Sequence, residues 1–410
     1  MSMEKIKTWR ADLKKQRALL EQDFLENTNP ASLLKNHTKL IDKLLESVWE
    51  DSGLSQEVSL IAVGGYGREE LFPYSDIDLL ILVPDNVSAL QNKQIESLIG
   101  ALWDLGLNVG HSVRSLPECI NEASDDATIQ TNLLEARFLC GSETIYCDFS
   151  IKISQQLDAA KFLQAKIDEQ NNRHQKSNDT GYNLEPNIKE SPGGLRDLHS
   201  ILWLAQSLGL GNTWLELAKN GVINKAELNA IKQHERTLNT LRIRLHYLAK
   251  RREDRLLFDF QNDLAASLGL TNTTNKRASE QLMQSYYRSV RYIRLINEIL
   301  IKSFANASSA NEPKKAINDH FNAQNNLLET VSTDLFQRNP SAIFESFLLL
   351  QVHAELEGFS PTLLRQLQDA NKLITKEFRE STENQQLFLK ILRQKNGVHH
   401  TIQRMNRYGV

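Results

Sequence analysis

Residues 59–83, SLIAVGGYGREELFPYSDIDLLILV, constrain the fold more than any other part of the 410-residue chain. An apolar run at 60–63 leads into a glycine-rich turn, and a polar connection with Pro73 and Ser75 follows it. Asp76 and Asp78 then open a second apolar run. Two apolar runs of strand length, separated by turn residues, predict adjacent strands of one sheet.

The two aspartates form the first candidate site. Successive side chains of a strand point to opposite faces, so Asp76 and Asp78 share one face and Ile77 lies on the other. Their carboxylates would stand about 6.6 Å apart along the strand and can hold a pair of divalent cations. No Lys or Arg lies within the three-residue motif, so we expect metal ions, two Mg²⁺, as their partners.

The glycine turn forms the second part of the candidate site. Glycines allow a ligand to approach the backbone closely, so the amides of Gly64 and Gly65 can face the β- and γ-phosphates of a nucleotide. Gly67, Arg68 and Ser75 are further nucleotide-binding candidates, and bracing of the turn is the alternative role for Arg68. In the plainer interpretation, the glycines form a tight turn and the aspartates a solvated strand end.

A Gly-Gly pair followed by Asp-x-Asp resembles the signature of the nucleotidyltransferase superfamily. The longer string GGYGREELFPYSDIDLL resembles one branch of it, the bacterial PII-protein uridylyltransferases, also called uridylyl-removing enzymes. This resemblance implies that the chain transfers UMP from UTP to a tyrosine of the PII signalling protein, with Asp76 and Asp78 binding Mg²⁺.

A second glycine-containing segment, 187–199, reads NIKESPGGLRDLH and predicts a loop that opens a helix. Lys189 and Arg196 place two cations beside the amides of Gly193 and Gly194, which favours nucleotide phosphates. A plain loop with a salt bridge is the alternative. The segment resembles the GGLRD segment of the same family, which implies that it faces the aspartate pair and helps to hold UTP.

Alternating residues at 107–114, LNVGHSVR, predict a third strand. Many members of the superfamily bring a third carboxylate to the metals on this strand, but here it contains no Asp or Glu, so the general base stays unassigned. His111 is a candidate for orienting a phosphate or moving a proton, with a structural hydrogen bond as the alternative. Arg114 is a candidate phosphate ligand.

Length and net charge limit the classes of protein to which the chain can belong. A chain of 410 residues can bury a large core and form two or three domains. Its net charge of -3 gives no overall field that favours nucleic acid. The N-terminus lacks an apolar signal core, and no run approaches the length of a membrane span. We therefore expect a cytoplasmic, soluble protein that binds neither membrane nor nucleic acid.

The predicted fold class is α+β: a mixed sheet of the nucleotidyltransferase fold with flanking helices, followed by a mostly α-helical domain. The expected divisions are N-terminal helices at 1–50, a nucleotidyltransferase domain at 51–150, a helical domain at 151–304, and a linker with a C-terminal helical segment at 305–410. Periodicity also predicts helices over 125–139 and 151–175, a loop at 176–182, a linker at 305–315 and an extended piece at 321–336.

Full-length members of the family continue with a phosphohydrolase domain marked by a His-Asp motif and with ligand-sensing domains. No His-Asp pair occurs in these 410 residues. We therefore expect a fragment or a truncated member without uridylyl-removing activity or direct glutamine sensing. Two alternatives stay open: a nucleotidyltransferase of other base or acceptor specificity, and a regulatory module that binds nucleotide without chemistry.

Overall fold

The computed structural model describes residues 2–54, 57–177, 183–308 and 313–410. Two helices come first, α1 (Met3–Asn27) and α2 (Pro30–Ser52). Asn29 caps α2 by accepting the Ser32 amide, and Pro30 suits the first helical position because its missing N–H would have no partner there. The predicted N-terminal helices are confirmed, and the turn before Pro30 divides them into two.

A four-stranded mixed sheet follows. Its strands are β1 (Ser59–Ala62), β2 (Ile77–Val83), β3 (Val109–Ser115) and β4 (Arg137–Gly141), in the order β3-β2-β1-β4. Strand β1 runs antiparallel to β2 and β4, whereas β2 and β3 are parallel. A single helical turn, α3 (Gly64–Gly67), joins β1 to the connection that precedes β2. The α+β class and the two central strands agree with the prediction.

Helices cover both faces of this sheet: α4 (Ala89–Asp104), α5 (Leu116–Asp125), α6 (Ala127–Leu134) and α7 (Glu143–Gln155). Leu60 and Ile77 belong to the core shared with α1, α2 and α4, while Ile61 and Leu80 belong to the core shared with α5, α6 and α7. Burial on both faces explains the continuous apolar runs. Asp78 alternates with Ile77 and therefore emerges on the same face as Leu80.

The chain forms two compact units, Met1–Ser289 and Val290–Val410. Further helices complete the first unit: α8 (Ala159–Gln175), α9 (Leu195–Ser207), α10 (Trp214–Lys219), α11 (Lys225–Ala249), α12 (Phe258–Ser267) and the start of α13 (Ala278–Ser308). The finer boundaries at 50, 150 and 304 stay predictions. No helix among the described residues is long and apolar enough to cross a bilayer.

The second unit contains its own sheet, in the order β5 (Lys315–Ala316), β6 (Phe321–Gln324), β7 (Leu327–Thr330) and β8 (Gly358–Phe359). Its helices are α14 (Leu335–Arg338), α15 (Ala342–Val352), α16 (Pro361–Ala370), α17 (Lys376–Glu380), α18 (Thr382–Leu392) and α19 (Val398–Tyr408). Asn325 and Asn326 both have positive φ and form the two-residue turn of the β6–β7 hairpin. The prediction recognised an extended piece here but missed the sheet.

Three predicted elements differ from the structure. The helix expected over 125–139 is wrong: α6 ends at Leu134, and β4 follows because its short apolar run pairs with β1. The helix expected over 151–175 is two helices, divided where Asp158 caps α8. Helix α13 continues into the predicted linker, and residues 309–312 of that linker and 178–182 of the predicted loop lie outside the described residues.

Candidate functional site

The glycine turn α3 ends β1 beside the aspartate pair. Gly64 has φ +60°, a conformation that glycine adopts without strain. The first amides of a helical turn have no partner within the turn, and no side chain caps them here. The backbone of Gly64 and Gly65 therefore offers N–H groups suited to an anion.

Asp78 lies between two glycines on neighbouring strands. A Cβ at Gly110 would lie 2.6 Å from its Oδ1, and a Cβ at Gly64 would lie 3.2 Å from its Oδ2. Gly110 is the partner of Asp78 in the β2–β3 register. Any larger residue at position 110 would displace the carboxylate, so the two glycines keep its oxygens uncovered.

The electrostatic surroundings of Asp78 disfavour its charged form. Its side chain is exposed toward solvent, but the protein atoms packed around the carboxylate raise its pKa, and the charge of Asp76 raises it further. Lys189 and Arg252 act in the opposite direction. A divalent cation would relieve the repulsion between the two carboxylates.

Asp76 lies immediately before β2 and already has two partners. Its Oδ1 accepts a hydrogen bond from Asn108 Nδ2, and its Oδ2 accepts one from Arg252 Nη1. The sequence predicts a metal as the partner of Asp76 because the three-residue motif contains no Lys or Arg. In the structure, Arg252 provides a positive partner for Asp76 from 176 residues away in sequence.

The loop at 187–196 uses its backbone amides within the chain, contrary to the expectation that they are exposed. Leu195 N donates to the Ile188 carbonyl over 3.0 Å, and Arg196 N donates to the Lys189 carbonyl over 2.9 Å. A Cβ at Gly194 would lie 2.7 Å from both of these carbonyl oxygens. The backbone of this loop is therefore closed: these two amides donate to carbonyl groups of the same loop and do not face a ligand.

Asp197 fixes the other glycine of this loop. The carboxylate of Asp197 is fully buried and accepts hydrogen bonds from Gly193 N (2.6 Å), Arg173 Nη2 (2.6 Å) and His174 Nε2 (3.0 Å). Asp197 also lies in the first turn of α9, where the helix dipole favours a carboxylate. The amide of Gly193 is thus engaged by the protein itself.

The side chains of Lys189 and Arg196 differ in their surroundings. Burial, with a smaller contribution from the charges of Arg196 and Arg242, lowers the pKa of Lys189 to about 8. Lys189 also stabilises the charged form of Asp78, so this part of the loop acts on the aspartate pair. Arg196 instead contacts Glu190 over 3.3 Å and lies over the Trp203 ring.

Arg68 is held in a buried cluster. Its Nε donates to Glu70 over 3.0 Å, and its Nη1 pairs with Glu135, which also accepts the Trp203 indole N–H. Burial alone would lower the pKa of Arg68, but Glu135 and Glu70 raise it above its usual value. These contacts favour the bracing role for Arg68.

Gly67 is a packing residue of the same cluster, since a Cβ there would lie 1.9 Å from the Glu135 carbonyl oxygen. His199 Nε2 lies 3.3 Å from Glu70, and burial and then Arg68 lower the pKa of His199 to about 3. Ser75 donates its amide to the Phe72 carbonyl over 3.1 Å and is partly exposed beside Asp76.

A cavity of about 260 Å³ opens beside Asp78, and its lining includes Gly110, His111, Arg114 and Asn132. Arg114 forms an ion pair with Glu122 on α5. The ring of His111 packs edge-on against Trp103 at 5.9 Å between centroids. The cavity provides space for a ligand next to the carboxylate.

No cluster of three His, Cys, Asp or Glu side chains suited to a metal occurs in the described ranges. Glu135 influences Asp78 electrostatically, but its carboxylate is already engaged by Arg68 and Trp203. Among the described residues, no third carboxylate therefore joins Asp76 and Asp78 in such a cluster.

Sequence reasoning missed the segment after α11 that carries Arg252. Arg242 and His246 both contact the Asp254 carboxylate, at 2.6 Å and 3.2 Å, and His246 also contacts the Pro73 carbonyl. The Asp254 carbonyl accepts the Ile188 amide over 2.8 Å. This network ties the Arg252 segment to the 187–196 loop and to the connection before Asp76. The only signal in the sequence was that Asp254 lies close in sequence to Arg242 and Arg252, which indicates an ion pair but not its position beside Asp76.

Comparison with known families gives three matches along the chain. Residues 161–301 match the family model described as GlnD PII-uridylyltransferase, and residues 321–410 match the uridylyltransferase GlnD third domain. Residues 41–129 match a nucleotidyltransferase domain, which contains the glycine turn and the aspartate pair.

Curated relatives match over nearly the whole chain. A protein of Nitrosospira multiformis is 44% identical over 96% of this chain and 45% of its own length. One of Chromobacterium violaceum is 41% identical over 100% of this chain and 48% of its own length. Both are named bifunctional uridylyltransferase/uridylyl-removing enzyme. The chain thus spans about half the length of these relatives.

Proposed function

Because the chain belongs to the GlnD PII-uridylyltransferase family, we propose that it transfers UMP from UTP to a tyrosine hydroxyl of a PII protein. The tyrosine oxygen attacks the α-phosphorus, the bond from that phosphorus to the bridging oxygen breaks, and pyrophosphate leaves. One observation carries the proposal: the Asp78 carboxylate, kept open by Gly64 and Gly110, lies beside the uncapped amides of a glycine turn.

The residues present fit magnesium. Carboxylate oxygens are ligands that Mg²⁺ prefers, and Asp76 and Asp78 would hold two ions. When bound, these ions would neutralise the triphosphate and activate the attacking hydroxyl. The uncovered oxygens of Asp78 and the mutual repulsion of the two carboxylates support this assignment.

We assign the triphosphate to the open side of the aspartate pair. The amides of Gly64 and Gly65 would donate to its β- and γ-phosphates, with the Ser75 hydroxyl as a further donor. Lys189 and Arg252 would add positive charge, since both interact electrostatically with Asp78. Arg68, Gly67, Gly193, Gly194 and Arg196 would then act by supporting the two loops rather than by contacting phosphate.

The 410 residues would transfer UMP without removing it, since they contain no His-Asp pair. A cytoplasmic location remains a prediction from the sequence. Incubation with uridylylated PII tests the first statement, and release of UMP by this chain would contradict it.

The proposal is tested by incubating the chain with PII, Mg²⁺ and each of the four α-labelled nucleoside triphosphates in turn. We expect label on PII with UTP, dependence on Mg²⁺, and no label on a PII variant whose tyrosines are changed to phenylalanine. Transfer from another nucleotide would contradict the assigned base. Nucleotide binding without transfer would favour a regulatory module. The Arg252–Asp76 pair supports this second candidate function because it engages the Asp76 carboxylate.

A further inference from the structure

A larger cavity lies in the first unit, lined by α1 and by the connection that precedes Asp76. Its volume is about 440 Å³, within the range of small-molecule sites. Its lining includes Arg10, Arg17, Glu21, His37, Tyr74 and Tyr247. None of them belongs to the proposed UTP site.

The charged groups of this cavity are mainly positive. Arg10, Lys14 and Arg17 lie on the part of α1 that lines it, and Glu21 is the carboxylate among the lining residues. Across the described residues, none of these three cations forms an ion pair. His37 adds no charge near neutral pH, because burial and then Arg17 lower its pKa to about 4. An excess of positive charge favours an anionic ligand.

Arg17 provides the strongest single indication. Its Nε is buried and has no hydrogen-bond partner in the described part of the chain. Burial lowers the pKa of Arg17, and the groups that oppose this change are two tyrosines, Tyr74 and Tyr247, rather than a carboxylate. Among the described residues, no acceptor therefore compensates the positive charge of Arg17 at the wall of the cavity, and this charge favours a bound anion.

The rest of the lining is suited to the apolar part of a ligand. Leu13, Leu20, Pro73 and Leu105 contribute to the walls. Tyr74, on the rim, has φ +59°, a strained conformation for a residue other than glycine. Such strain concentrates at ligand sites and switch regions.

We propose that this cavity binds a small organic anion, a carboxylate or a phosphate monoester carried on an apolar group, with Arg17 as the anion-binding residue. The lining contains none of the residues assigned to UTP, and anion binding can be measured in the absence of UTP and PII.

Isothermal titration calorimetry of the full chain with phenyl phosphate and with 3-phenylpropionate tests the two anion types. Inorganic phosphate tests the anionic group alone, and benzyl alcohol tests the apolar group without a charge. We expect one-to-one binding of at least one organic anion. The Arg17→Gln variant should weaken it at least tenfold. Lys15→Gln, which changes an exposed cation of the same helix outside the lining, should alter it less than twofold.

Three results would overturn the proposal: no binding of either organic anion, equal affinity for benzyl alcohol, or unchanged affinity in Arg17→Gln. Binding that disappears in Asp78→Asn would place the anion at the aspartate pair and would also contradict it. Should circular dichroism show that Arg17→Gln is unfolded, Lys14→Gln at the same cavity takes its place, with a severalfold loss of affinity as the expected result.

Discussion

Two glycine-containing loops of this chain use glycine in opposite ways. At Gly64 in the turn after β1, and at Gly110 on the neighbouring strand β3, the missing side chains leave the Asp78 carboxylate uncovered. At Gly194, the space of the missing side chain is filled by carbonyl oxygens of the same loop, and Gly193 donates its amide to Asp197. Glycine therefore creates an open site in the first loop and a closed scaffold in the second. A Gly-Gly pair in a sequence does not distinguish between these outcomes.

The largest effect should come from the carboxylates of Asp76 and Asp78, which lie next to the open loop. We expect Asp78→Asn and Asp76→Ala each to reduce UMP transfer on the order of 10³-fold, which corresponds to about 4 kcal/mol of transition-state stabilisation. The measurement is steady-state transfer of labelled UMP to PII. Asp85→Asn, at an exposed aspartate that follows β2, is the matched control and should retain activity. Near-normal turnover in both site variants would refute the metal pair.

Gly110→Ala tests whether the space that Gly110 leaves next to the Asp78 carboxylate is needed for UMP transfer. The added methyl group would lie 2.6 Å from Asp78 Oδ1 and displace the carboxylate. A displacement of this kind should cost about 10²-fold in kcat/KM while the melting temperature changes little. Gly100→Ala, where a Cβ would meet no atom within 4 Å, is the control. If Gly110→Ala transfers UMP at the normal rate, the close approach has no functional role.

Gly194→Ala tests the closed loop through stability. Three carbonyl oxygens lie 2.7–2.9 Å from the position of the added Cβ. We expect the free energy of unfolding to fall by about 1–3 kcal/mol, measured by urea denaturation. A stable Gly194→Ala protein that has lost only UTP affinity would show that this loop is an open phosphate site after all.

Arg252→Ala removes the cation that pairs with Asp76. If Arg252 contributes to triphosphate binding, KM for UTP should rise about tenfold, as expected for loss of one charge-assisted hydrogen bond. Arg251→Ala is the neighbouring control, since Arg251 is exposed and pairs with Glu253. A lower KM, or higher kcat, in Arg252→Ala would instead indicate that the Arg252–Asp76 pair restrains the site.

The smallest expected effect is a pH dependence from Lys189. Its pKa is lowered to about 8, so the ammonium is present below that pH and loses its proton as the pH rises through it. KM for UTP should therefore increase severalfold between pH 7 and pH 9. The Lys189→Arg variant, which stays charged, should flatten the profile. An unchanged profile in this variant would remove Lys189 from the proposed site.

Local spacing was enough to predict the parts of the fold that depend on neighbours in sequence. Pro30 predicts the break before α2, and the two continuous apolar runs predict the strands β1 and β2. The placement of Asp78 opposite Ile77 follows from the alternation of side chains along a strand. Strand β4 was missed because its short apolar run is compatible with either helix or strand, and pairing with β1 decides between them.

Contacts between distant segments were not predictable in the same way. Arg252 meets Asp76 across 176 residues, and Trp203 donates to Glu135 across 68 residues. The sequence shows which of these side chains are charged but not which of them meet. The closed backbone of the 187–196 loop depends likewise on hydrogen bonds that its composition does not reveal, so its amides looked available to phosphate.

The metal pair and the triphosphate site can be located together in crystals grown with Mn²⁺ and a non-hydrolysable UTP analogue. We expect anomalous signal for the metal at the carboxylates of Asp76 and Asp78, with the triphosphate against the amides of Gly64 and Gly65. Metal and nucleotide bound at another place, with the Asp78 carboxylate left uncoordinated, would contradict this assignment.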